Sequence, residues 1–70
     1  MIRPIRLTEE QQIDVDLALA TEDFDGLEAD SAAYVSHSIT HGAIPEGKIV
    51  GRTCENGYCV NPEHLVLVSK

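Results

Sequence analysis

Three side chains in the last third of the chain have the types and spacing to hold a metal ion. They lie in Cys54-Glu-Asn-Gly-Tyr-Cys59-Val-Asn-Pro-Glu-His64-Leu65, with four residues between the thiols and four between Cys59 and His64. Two sulfurs and an imidazole suit zinc best among the common ions, since soft ligands without a redox requirement favour it. A Cys54–Cys59 disulfide is the rival reading. It would close only a short loop and so remove little chain entropy, and in an intracellular protein this spacing more often serves a metal. His64, placed to converge on the same point, favours the ion.

Such ligands must be carried by a chain that needs help to fold. Its 70 residues make one domain at most, with Phe24, Tyr34 and Tyr58 as its aromatics. A core this small usually requires a staple, and a metal can supply it. No apolar run approaches the ~18 residues of a membrane span, and the first residues do not resemble a signal peptide, so a cytoplasmic, soluble protein is expected.

The formal charge is −7, and residues 8–30 carry nine acids with no Lys or Arg. Residues 1–7 hold Arg3 and Arg6, while charges in residues 31–70 cancel. This balance argues against nucleic-acid affinity, which draws on positive charge. The acidic stretch reads either as a solubilising face or as a patch that meets a basic partner, such as a basic protein surface or a groove built for nucleic acid. Arg3, Arg6, Glu9, Glu10, Asp14 and Asp16 are the expected partner-binding residues.

Along the chain, residues 1–7 read as an extended arm and residues 8–41 as an acidic helical part. Thr8-Glu-Glu-Gln11 matches a capping box, predicting a helix to about Ala20 that buries Ile13, Leu17 and Ala20. Ile13, Val15, Leu17 and Leu19 also alternate as in a strand, but the capping box and the alanines decide for helix. Thr21 to Asp30 reads as a loop. A second helix is expected over about Asp30–Thr40, capped by Asp30 or Ser31 and ended by Gly42 in a left-handed conformation. Ala33, His37 and His41 would share one stripe of it. Ile44-Pro45-Glu46-Gly47 is turn chemistry. Lys48–Thr53 reads as a strand, Cys54–Cys59 as a knuckle with Asn56-Gly57 at its tip, Asn61–His64 as one helical turn, and Leu65–Val68 as a closing strand.

Gly42-Ala-Ile-Pro-Glu-Gly47 followed by Val50-Gly-Arg-Thr-Cys54 through His64-Leu-Val-Leu-Val68 closely resembles phage-type HNH endonucleases and their His-Cys-box relatives. The likeness spans roughly residues 42–69. Together with the two N-terminal helices read above, it implies a small α+β fold with a zinc-knuckle β-hairpin of the ββα-metal type in residues 42–70, lacking the final helix. It also implies that Cys54, Cys59 and His64 are ligands, with a fourth from the helix upstream. The matching position falls near Ala33, and His37, one turn further on, is the expected replacement; His41, Asp30 or a water are alternatives.

In such nucleases a His two residues before the first Cys activates water. Here Arg52 stands there, and a guanidinium cannot take a proton at working pH. The metal-binding helix that follows the last strand in the family is not found before Lys70. The resemblance therefore implies a non-catalytic, phage-encoded derivative that binds a host protein, such as RNA polymerase or a defence nuclease. Two rivals stand beside it. One is a minimal HNH nicking enzyme that completes itself by dimerising. The other is a DNA-binding regulator with residues 7–41 as a degenerate helix-turn-helix, although that stretch has no Arg or Lys for DNA.

Overall fold

A computed structural model describes residues 2–70; Met1, the first residue of the expected arm, lies outside the described residues. The fold is a small α+β arrangement of two helices and a three-stranded antiparallel sheet. Strand β1 (Arg3–Pro4) pairs with β2 (Lys48–Arg52), and β2 pairs with β3 (Leu65–Ser69). Helix α1 (Glu9–Thr21) packs on α2 (Ala29–His41), which in turn lies against β2 and β3. No helix among the described residues is long and apolar enough to cross a membrane.

The arm is extended, as expected, and is in addition paired into the sheet. Arg3 and Pro4 sit opposite Arg52 and Gly51, the Ile5 N–H donates to the Val50 carbonyl (2.8 Å), and Ile5 is buried. The Tyr34 hydroxyl, inside the core, donates to the Ile5 carbonyl, which closes the arm onto α2. Burial pushes the Tyr34 phenol up, so it stays a donor.

Helix α1 begins as its capping box dictates: Thr8 accepts from the Gln11 N–H, and the Gln11 side chain accepts from the Thr8 N–H (3.0 Å). The helix, not the strand, is therefore what residues 9–21 form. Its expected buried face is wrong, however. Ile13 and Leu17 are 63% and 59% exposed and Ala20 is exposed, whereas Val15 and Ala18 are buried. Apolar residues run round both sides of this helix, and small Ala18 offers the side along which α2 can approach closely.

The first helix ends in a strained cap. Glu22 adopts the left-handed conformation at φ 58°, which costs a side chain with a Cβ roughly 1 kcal/mol. Its carboxylate also sits at the negative end of the helix dipole. Glu22→Gly is expected to stabilise the fold by about 1 kcal/mol, read as a higher urea midpoint with unchanged slope.

Helix α2 starts one residue earlier than expected and is preceded by Glu28, which makes no side-chain cap. Neither Asp30 nor Ser31 caps it, because Asp30 lies inside the first turn and is engaged by Arg52, while Ser31 is buried. Glu28 instead accepts from the Gln11 side chain (2.6 Å), joining the starts of the two helices. At the other end Gly42 takes φ 95° and ψ 177°, a positive-φ cap that is extended rather than left-handed helical. The turn expected over Ile44–Gly47 forms one residue later: the Lys48 N–H donates to the Pro45 carbonyl, and Gly47 at φ 84° fills the third position, which favours glycine.

The core is Ile5, Val15, Ala18, Ala33, Tyr34, Val35, Ile49, Val50 and Leu65. It contains no residue between Val50 and Leu65, so the knuckle is outside the apolar interior.

Candidate metal centre

Two strands and two turns bring the candidate ligands together. The Thr53 N–H donates to the His64 carbonyl (2.8 Å), extending the β2–β3 ladder by one step beyond the Arg52–Leu65 pair. Cys54 therefore opens directly beside His64. Between them the chain turns back through Asn56, whose side chain accepts from the Tyr58 N–H (2.9 Å) and whose carbonyl accepts from the Cys59 N–H (3.1 Å). Gly57 does not have a positive φ; the asparagine side chain shapes this turn rather than glycine's freedom. A second asparagine presents the imidazole. Asn61 accepts from the Glu63 N–H (3.0 Å) and starts the 3₁₀ turn Pro62–His64, with Pro62 in its first position.

The result is a convergent trio. The ligand atoms of Cys54, Cys59 and His64 all lie within 4.8 Å of one another. Cys59 Sγ is 3.3 Å from His64 Nδ1. Tetrahedral zinc holds sulfur and nitrogen ligands about 3.5 Å apart, from bond lengths of about 2.3 and 2.0 Å, so these residues fit such an ion. Both cysteines are free thiols, each half-buried. The Cys59 thiol is pushed down to about 7, first by the Asn61 backbone N–H and then by the His64 and Cys54 side chains. Its thiolate, the form that binds metal, is thus within reach at neutral pH. The three groups could hold a metal ion.

His37 does not belong to this convergent group. It is buried on α2, and its Nδ1 has no hydrogen-bond partner. His41, exposed one turn on, lies with its ring 4.9 Å from that of His37 and its Nε2 3.2 Å from the Pro62 carbonyl. Ser36 Oγ donates to the Val60 carbonyl (2.7 Å). These contacts seat the second half of α2 on residues 60–62, between Cys59 and His64. Burial and then His41 push the His37 imidazole down, favouring its neutral form.

Arg52 is the residue whose role sequence reasoning missed. It is 6% exposed. Its Nε donates to the Cys59 carbonyl (2.9 Å), and its terminal nitrogens donate to Asp30 and to the Ala29 carbonyl (3.2 Å each). One guanidinium therefore ties the knuckle to the start of α2. No local pattern could have revealed this, because its partners lie 7 to 23 residues away.

The expected partner-binding residues do not form one patch around a single element. Arg3 lies in β1, opposite Arg52. Arg6 and Asp16 line one open groove between α1 and the Ala43–Lys48 turn. Glu9, Glu10 and Asp14 are exposed on α1, and Asp16 accepts from Gln12 on the same helix (3.1 Å).

No protein-family model, curated protein or solved structure matches this chain.

Proposed function

We propose that this chain is a non-catalytic, zinc-stabilised module of HNH-nuclease descent that works by binding another protein. The observation that carries this reading is Arg52, buried and bonded through its guanidinium two residues before the first of three convergent metal ligands. A nuclease of this type needs a proton acceptor there, and a guanidinium has no lone pair to offer. Its donors are moreover turned to the knuckle and α2, so it acts as a structural tie. Bound zinc would hold the knuckle shut, with Cys54, Cys59 and His64 as ligands and His37 in the fourth position. His37 is favoured over His41 because its buried Nδ1 has no other partner, whereas His41 already meets Pro62. Four protein ligands make a structural site.

The likeness to phage HNH proteins suggests a phage origin and the host cytoplasm as the place of action. By analogy, RNA polymerase or a defence nuclease is the target class.

Metal analysis of the purified chain should find one zinc per molecule, and plasmid incubated with it and Mg²⁺ or Mn²⁺ should stay supercoiled. Nicking that disappears on Arg52→Ala or His37→Ala would overturn the non-catalytic reading. A metal-free chain with both thiols free and a fully ordered knuckle would overturn the zinc assignment.

A further inference from the structure

One face of α2 lines an open groove in which Val35 is buried and Ile39 is the large apolar side chain left exposed. Ala32, Val35 and Ile39, with the polar Ser36 and Thr40, line a groove of about 260 Å³, and they recur at the three- and four-residue steps of a single helical stripe. Phe24 and Leu27, from the segment between the helices, form its other wall. Ile39 is 61% exposed and Phe24 41%. The stripe runs about 12 Å, roughly two helical turns. Ser36 in this groove bonds to the Val60 carbonyl, and Val60 is itself 40% exposed.

Charge identifies the occupant. Phe24 sits between Asp23 and Asp25, with Glu22 exposed just before them, and no Lys or Arg occurs from Leu7 to Gly47. The chain as a whole carries −7. A second copy seated here would bring the exposed acids that flank Phe24 toward those of its twin. A cationic amphipathic helix meets both demands, with large aliphatic side chains in the groove and Lys or Arg against the rim. We infer that the Phe24–Leu27–Ile39 groove is a docking site for a positively charged amphipathic helix of a partner protein. This inference rests on the reading of the chain as a binding module and gives that module a surface and a partner chemistry.

Fluorescence anisotropy with a labelled model peptide tests it, using Leu at i, i+3, i+4 and i+7 and Lys elsewhere. The full chain is expected to bind this peptide, and to bind a Leu–Glu peptide of the same periodicity or a scrambled Leu–Lys peptide at least tenfold more weakly. Ile39→Asp should weaken binding at least tenfold. Ile13→Asp adds the same charge on an equally exposed isoleucine outside the groove and should leave affinity unchanged. Asp23→Asn with Asp25→Asn should weaken binding severalfold at low salt and flatten its salt dependence.

Equal affinity for the scrambled peptide, indifference to Ile39→Asp, or no binding would overturn the docking site. So would sedimentation showing a dimer abolished by Ile39→Asp, because the occupant would then be a second copy. Plasmid nicking by a chain that still binds the peptide would overturn the non-catalytic reading while leaving the groove standing.

Discussion

Chelation of an ion held by Cys54, Cys59 and His64 is expected to unfold the Cys54–His64 knuckle and to lower the melting temperature of the whole chain. The physical case lies in where the core is. All the buried apolar residues come from Ile5 just after β1, the helices, β2 and β3, and none from the knuckle. Between Arg52 and Leu65 the chain is held by its own turns, by the Thr53–His64 bond and by single contacts from Arg52, Ser36 and His41. Single hydrogen bonds contribute about 1 kcal/mol each, too little to fix a loop of this length. Structural zinc contributes about 10–16 kcal/mol in small metal-folded peptides, whereas a core of this size supplies only about 3–5 kcal/mol. Even a fraction of the metal term decides whether the knuckle is ordered. Hydrogen exchange should show the Cys59 and His64 amides losing protection after chelation, while the Val15, Ala18 and Val50 amides keep more of theirs. Cys59→Ser and His64→Ala should reproduce that pattern with metal present, and His37→Ala should weaken metal binding without abolishing it. If those amides stay protected in the stripped chain, the ion is not what holds the knuckle.

Removing the Arg52 guanidinium is expected to be the most damaging single change that leaves the metal ligands intact. Arg52→Met preserves the aliphatic stem but removes a donor from the Cys59 and Ala29 carbonyls and leaves Asp30 without its cation. Opening a buried ion pair costs about 3–5 kcal/mol. Asp30 is 43% exposed and can take water instead, which sets the expected loss near the lower limit, about 3 kcal/mol. For so small a domain that approaches its whole stability. Arg52→Lys should recover little, because an ammonium on a single stem cannot serve three acceptors in the directions a guanidinium fork reaches. Arg52→His is the instructive variant. It installs an imidazole where the proposed HNH descent would place a base, yet it should be destabilised to a similar degree and leave plasmid intact, because it cuts the tie between knuckle and α2. Urea denaturation followed by circular dichroism measures the series. An unchanged midpoint for Arg52→Met would show that these hydrogen bonds add nothing net.

The exposure of Ile13 and Leu17 and the burial of Val15 and Ala18 show where reading along the chain stops. Both pairs have helical spacing, so periodicity identifies the helix but not its inner face. The arm poses the same difficulty: nothing within residues 1–7 distinguishes a free strand from an edge strand, since its pairing partner lies more than forty residues away. His37 is a third instance. Its stripe on α2 is legible, but its distance from the convergent trio is set by how α2 sits over residues 60–62.

By itself the sequence determined what short-range chemistry governs. It set the capping box at Thr8–Gln11, the Pro45–Lys48 turn, the asparagine-shaped turns at Asn56 and Asn61, and the spacing that lets Cys54, Cys59 and His64 meet. Each of these joins groups within a few residues, so local sterics and hydrogen bonding suffice. Only the tertiary structure decided which face of α1 is inside, that the arm completes the sheet, and that Arg52 binds Asp30, Ala29 and Cys59 rather than facing a substrate. Those outcomes depend on burial and on pairing between distant segments, where several local solutions are nearly equal in energy until the elements pack together.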